Sequence, residues 1–164
     1  MTDEELRWLH AQAARMTSVV EIGSHRGRSS YALLSGCPGT VICIDPWTRE
    51  PEARAAFERS CGSFPNLVML QAASPAAAAL VPGPVDMVFI DGDHSYEAVR
   101  ADIAAWRPLA RRMLCGHDLH ASGAKPGVRQ AVEEAFGDGA RVVPGTSIWV
   151  ASPGPVGTTG RTGP

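Results

Sequence analysis

The sequence has no apolar run near the length of about eighteen residues that a membrane-spanning helix needs. It has no block of like charge either. Fifteen Lys and Arg stand against 17 Asp and Glu, for a net charge of −2, and the pI is about 6.2. A basic footprint for nucleic acid is therefore missing, and neither a membrane surface nor an acidic partner is expected. The four cysteines, Cys37, Cys43, Cys61 and Cys115, make no C-x-x-C pair and no zinc or disulfide spacing. Cys43 and Cys115 fall in strand-like stretches and read as small buried hydrophobes. The start, MTDEEL, lacks the basic flank and apolar core of a secretory signal, so a cytoplasmic location is expected. What is present is ordinary for a globular protein. Apolar residues make up 45% of 164 residues and charged residues 20%, enough for one domain with a sizeable core.

The hydrophobic pattern alternates between strand and helix. Thr2 with Glu5 offers a capping box for a first helix over Asp3–Met16. Strands are predicted at Ser18–Ile22, Thr40–Ile44, Leu67–Leu70 and Val85–Ile90, with a fifth built on Arg112–Cys115. Helices are predicted over Gly27–Ser35, Glu52–Cys61, Pro75–Leu80, Ser95–Trp106 and Pro126–Phe136. In the helix before Pro108, Tyr96, Val99, Ile103 and Trp106 share one face and read as core. Arg141–Val143 and Ser147–Ala151 flank Pro144–Gly145 as a closing hairpin. This order implies an α/β fold with a doubly wound, mostly parallel sheet and helices on both faces. The domain is expected to span 1–151, with Ser152–Pro164 a disordered tail that has nothing to bury.

Three strand ends carry chemistry. The stretch VDMVFIDGDH runs from an apolar strand into Asp91, Asp93 and His94. Ligands of open α/β sheets bind outside the carboxyl ends of the strands, although Asp and Gly also make ordinary turns. After the first strand comes Glu21-Ile22-Gly23-Ser24-His25-Arg26-Gly27. Its spacing is G-x-x-x-G rather than the G-x-G-x-x-G of dinucleotide binding, and Glu21 suits a cationic ligand better than a phosphate. Asp45 ends the second strand, twenty-two positions beyond Gly23, where a carboxylate can accept both hydroxyls of a ribose. Trp47 either covers an adenine face or packs as loop core. The fifth strand ends in His117-Asp118. Strands four and five are expected side by side, bringing Asp91 and His94 near His117 and Asp118. Two carboxylates with an imidazole can hold a divalent cation: oxygen ligands favour Mg²⁺, Ca²⁺ or Mn²⁺, and a histidine tilts the choice toward Mn²⁺, Fe²⁺ or Zn²⁺.

The stretches EIGSHRGRSS, IDPW, FIDGDHSYEAVRADI, GHDLH and PGVRQAVEEAF resemble the class I S-adenosylmethionine-dependent methyltransferases, in the branch of the macrocin-type O-methyltransferases. The resemblance implies a Rossmann-like sheet of seven strands with the last antiparallel. It implies that Glu21, Gly23 and their neighbours, Ser24, Gly27 and Ser29 among them, hold the amino-acid part of S-adenosyl-L-methionine. Asp45 would take the ribose, with Trp47 nearby, and Ala72 and Ala73 would meet the adenine. Asp91 would be a metal ligand at the cofactor's reactive end, His117 and Asp118 would supply the other ligands for Mg or Mn, and His94 would be the general base. His117 departs from the acid usual at its position. The expected reaction moves a methyl group to a hydroxyl of a small molecule such as a sugar or secondary metabolite. His94, with an unperturbed imidazole pKa near 6.5, and a cation are alternatives or partners in activating that hydroxyl. A nicotinamide-dependent oxidoreductase, a related metal-dependent hydroxylase and a non-enzymatic nucleoside-binding module are the rival readings. Only about seventeen residues precede strand one and His120–Lys125 is short, so a homo-oligomer is expected to close the site, through a neighbour's first helix.

Overall fold

The computed structural model describes residues 1–119 and 126–154. Seven strands form one sheet: β1 (Ser18–Ile22), β2 (Thr40–Ile44), β3 (Leu67–Leu70), β4 (Val85–Ile90), β5 (Ala110–Gly116), β6 (Ala140–Val142) and β7 (Trp149–Ala151), in the order β3-β2-β1-β4-β5-β7-β6. The first five run parallel, and β7 enters antiparallel between β5 and β6. The expected closing hairpin is therefore present, with β7 rather than β6 beside β5. Every residue of β4 is buried, as expected of a parallel strand covered on both faces. Its one acid, Asp86, accepts hydrogen bonds from the backbone N and Oγ1 of Thr17, both at 2.8 Å, and faces Arg111 at 3.1 Å.

Helices cover both faces. α1 (Asp3–Ala13), α2 (Arg28–Gly36) and α3 (Pro51–Cys61) belong to one side, where Leu9, Leu33 and Phe57 are fully buried. The other side carries α4 (Ser74–Ala77, extended by a 3₁₀ turn), α5 (Tyr96–Trp106) and α6 (Pro126–Phe136), with Ile103, Trp106 and Val132 inside. Val99, Ile103 and Trp106 form the expected buried stripe of α5. Tyr96 continues it at the edge: its half-buried ring packs against the same core, and its hydroxyl donates to Glu134 on α6.

The predicted first helix overruns by three residues. α1 stops at Ala13, and Met16 turns back under it, 4% exposed. Its capping box is complete: Thr2 Oγ1 accepts from Glu5 N, and Glu5 Oε2 accepts from Thr2 N at 2.6 Å. Gly36 does not end α2 by a left-handed turn. A Cβ there would press on the His10 carbonyl, so the glycine lets α1 and α2 approach. α1 buries Glu5, Leu9 and Ala13 in its own subunit and leaves Asp3, Glu4, Arg7, His10 and Ala11 exposed. The four cysteines are buried and free. No described helix is long and apolar enough to cross a membrane. Of the predicted tail, Ser152–Pro164, the first three residues are described: Pro153 is buried and its carbonyl accepts from Arg107 Nε at 3.1 Å, so the ordered chain runs past the expected boundary. The rest of that tail and residues 120–125 lie outside the described residues.

Candidate active site

Strand register sets the rim of the site. Ile22 pairs with both Ile44 and Ile90, and Ile90 pairs with Gly116. Four neighbouring strands therefore end level, and Gly23, Asp45, Asp91 and His117 leave the sheet side by side. A cavity of about 1010 Å³ opens above them. Gly23 has φ +87, and a Cβ there would collide with the Asp91 carbonyl. Glycine is thus required both for the backbone conformation and for the contact between the two loops. Three non-glycine residues around the cavity, His25, Trp47 and Asp118, also have positive φ (44, 48 and 64). Such strain persists only where surroundings impose it, and it concentrates at binding sites.

At one end of the cavity, Asp45 is already organised. Its Oδ2 accepts from His25 N at 3.0 Å and its Oδ1 from Trp47 N at 2.7 Å. A carboxylate has about four lone-pair sites, so capacity for further hydroxyl donors remains. Ala72 and Ala73 line the same cavity. Trp47 also borders it, but the indole is 5% exposed, tilts against Phe57 at 5.3 Å and donates its N–H to the His25 carbonyl at 2.8 Å. It packs as loop core, the second of its two expected roles.

Glu21 and Gly27 do not meet their expectations as direct contacts. Glu21 is fully buried beneath the turn rather than facing the cavity. Its carboxylate accepts from Ser24 Oγ at 2.7 Å and from Ser30 Oγ, and Ser29 also bonds to it. Burial raises its pKa, and the serine hydroxyls only partly offset that. It ties β1 to the start of α2 and so shapes the turn, while Ser24 and Ser29 reach the cavity wall. Gly27 faces α3: a Cβ there would lie 2.7 Å from Cys61 Sγ and 2.9 Å from Ser60 Oγ.

At the other end, β4 and β5 deliver a polar cluster. Asp91, His117 and Asp118 can each turn one ligand atom to within 4.8 Å of the others. His94 Nε2 lies 2.8 Å from Asp118 Oδ2 and 3.6 Å from Asp91 Oδ1. His117 Nδ1 lies 3.2 Å from Asp118 Oδ1 and 3.8 Å from Asp91 Oδ1, and its Nε2 is 3.0 Å from Glu5 Oε1. Burial alone would lower the His117 pKa, but the acids around it raise it above the usual imidazole value. Glu5 comes from α1. Burial would raise its pKa, yet the amides of Ser147 and Thr2, with His117, bring it down to about 2. Asp93 turns away from this group. The Ser95 amide and Arg49, 2.6 Å away, lower its pKa to about 2.

A family model described as a methyltransferase domain matches residues 20–118, from within β1 through the β5 acid. The chain belongs to this methyltransferase family. No curated protein matches it in sequence. Solved structures that superpose on the methyltransferase include three with related ligands. One is the O-methyltransferase from Bacillus cereus in complex with SAH (14% identity, 93% of this chain and 82% of that one, TM-score 0.71). Another is the O-methyltransferase TomG from Streptomyces achromogenes, involved in tomaymycin synthesis, in complex with SAM (17%, 93% and 81%, 0.72). A third is the SAH-bound methyltransferase PaMTH1 from Podospora anserina (12%, 92% and 77%, 0.75). At these identities the likeness establishes the fold. Several residues at or behind the cavity wall escaped the sequence reading. Glu5, which backs His117, gave only a capping signal, His25 belongs to the quoted glycine turn but has no assigned role there, Arg49 sits in a loop without a motif, and Asp102 interrupts no pattern because it lies beside the apolar stripe of α5.

Proposed function

We propose that this methyltransferase uses S-adenosyl-L-methionine to methylate a hydroxyl group of a small molecule. The observation that carries the reading is the placement of Asp45 and of the Asp91–His94–Asp118 group at opposite ends of one cavity. The first suits a ribose and the second suits an acidic hydroxyl proton. The SAM and SAH named with the superposing enzymes support the same cofactor.

When bound, the cofactor supplies an electrophilic methyl carbon on a sulfonium. The chain holds and aligns the reactants. Asp45, pre-oriented by the His25 and Trp47 amides, accepts the ribose hydroxyls. The Gly23 turn lets backbone approach the amino-acid part, and Glu21 holds that turn from below. His94 takes the acceptor's hydroxyl proton on its imidazole, and Asp118, 2.8 Å from Nε2, accepts the N–H there and stabilises the imidazolium. Asp91 adds to the same negative field. Asp91, His117 and Asp118 also fit a divalent cation such as Mg²⁺ or Mn²⁺. They offer two carboxylates and an imidazole, and the imidazole's far nitrogen rests on Glu5 in the manner of a metal-bound histidine with a supporting carboxylate. Such a cation would lower the pKa of the hydroxyl and orient it. The acceptor is read as a small molecule because the chain carries no basic surface excess that would attract nucleic acid.

Calorimetry with S-adenosylhomocysteine, followed by methyl transfer from labelled S-adenosylmethionine to a panel of hydroxylated small molecules, tests the reading. Saturable binding and labelled ether products are expected. Absence of cofactor binding overturns it. Labelled amines in place of ethers would overturn the hydroxyl assignment alone.

A further inference from the structure

α6 begins directly against the stretch of chain that carries His94. A Cβ on Gly127 would lie 2.4 Å from the Tyr96 amide nitrogen, 2.8 Å from the His94 carbonyl oxygen and 2.9 Å from the Ser95 carbonyl carbon. All three are backbone atoms, so no side-chain rotation relieves the overlap. Gly127 is buried, on the face of α6 that also buries Val128, Ala131 and Val132. Alanine there would favour the helix by up to about 1 kcal/mol, so what the glycine provides is the close approach. Tyr96 supplies a second attachment. Its amide meets Gly127, and its hydroxyl donates to Glu134, seven positions further along α6. Seven residues are about two helical turns. One side chain therefore lies along α6 and sets its register against residue 96. From its own loop, His94 is fixed by the Asp93 turn, where Asp93 Oδ1 accepts from Ser95 N at 2.9 Å, and by the Ser95 cap of α5.

We propose that Gly127 is a positioning residue for His94, and that the connection from β5 to α6 grips this base at both of its ends. The inference rests on the reading of His94 as the proton acceptor. Asp118 opens the connection and holds the ring, 2.8 Å from Nε2. Gly127 closes it nine positions later and meets the His94 carbonyl. The ring is bonded to an acid while the main chain beneath it rests on a helix, so neither the side chain nor the loop is free to swing. Displacing a reacting group by about 1 Å can cost 10²-fold in rate. An added methyl at 2.4 Å demands a shift of that size, because ordinary contact begins at 3.4 Å.

The test compares the full chain with Gly127→Ala, Tyr96→Phe, His94→Ala and the double variants that join His94→Ala to each of the first two. Activity is methyl transfer from labelled S-adenosylmethionine to a hydroxylated acceptor that the wild type turns over, and calorimetry with S-adenosylhomocysteine gives cofactor affinity. Gly127→Ala is expected to lose about 10²-fold in kcat, with cofactor affinity and acceptor KM unchanged. Its crystal structure should show the His94 ring beyond hydrogen-bonding distance of Asp118, while Asp45 keeps its two amide donors. In the His94→Ala background the same substitution should cost nothing further, because residues that act through one group are not additive. Tyr96→Phe, which keeps the ring, should lose about threefold in kcat by the same pattern. Thermal unfolding establishes that each variant is folded, and if Gly127→Ala is not, Tyr96→Phe and its double variant carry the same comparison. A Gly127→Ala that turns over like the wild type, that leaves His94 in place, or that costs the same factor with and without His94 overturns the positioning role. A His94→Ala as active as the wild type overturns the base reading instead.

Discussion

His94 and Asp45 carry separable tasks, and single substitutions distinguish them. His94→Ala removes the proton acceptor but leaves the Asp45 end of the cavity intact. Turnover is expected to fall by about 10²–10⁴ while S-adenosylhomocysteine affinity stays the same. Full activity across pH would refute the base assignment. Asp45→Ala should do the reverse to binding, weakening it by roughly 1.5–3 kcal/mol, the scale of hydrogen bonds to a charged group. Asp102, a buried acid of the cavity wall, has a signature in stability. Its folded pKa of about 6 lies above its ordinary 3.8, so between these values the folded state binds more protons than the unfolded chain. Stability from this group therefore falls as pH rises through that window. Asp102→Asn, which removes the ionisable group, is expected to gain on the wild type between pH 4 and pH 7, by up to roughly 3 kcal/mol. Urea unfolding at the two pH values checks this, and a difference independent of pH would count against it.

At the scale of elements, α1 links the fold to the site. Glu5 closes the capping box, accepts the Ser147 amide at 2.9 Å and rests against His117. A cap alone is worth about 1 kcal/mol. Glu5→Gln should cost more, roughly 1.5–3 kcal/mol at neutral pH, because hydrogen bonds to a buried charge are lost. The sign follows from the lowered pKa. A carboxylate at about 2 instead of 4.5 contributes stability above pH 4.5 and loses it as pH falls toward 2. The gap between wild type and Glu5→Gln should close over that range. Denaturant curves showing a constant gap down to pH 2 would contradict the ionised role.

For the whole molecule, the open question is what covers the mouth of the cavity, where the Arg26, Arg28 and Arg49 side chains are 52%, 62% and 84% exposed. Methyl transfer is more easily controlled in a site that excludes water. A homo-oligomer in which a neighbour's first helix closes the site is the assembly proposed here. Light scattering at working concentration is expected to give a multiple of the 17.3 kDa chain mass. A strict monomer, fully active on a small free acceptor, would exclude it.

Much of this architecture was legible because its signals are local. The apolar run of β4, the capping box of α1 and the Pro126 start of α6 depend on neighbours in sequence, and they place the strands and helices within a few residues. The acids at the strand ends followed from the same reading, since Asp45, Asp91 and Asp118 each stand where an apolar run stops. Tertiary structure decided which way side chains face. Glu21 has the sequence position of a ligand contact, but alternation along β1 and the serines of α2 turn it inward. Trp47 is spent on Phe57, and Gly27 on α3. Glu5 and His117 are 112 positions apart in sequence, and no periodicity links them. They meet because α1 packs beside α2 and β5 ends next to β4. Asp102 was silent for the same physical reason: a polar residue beside a helix's apolar stripe reads as solvent-facing until the α4 turn closes over it.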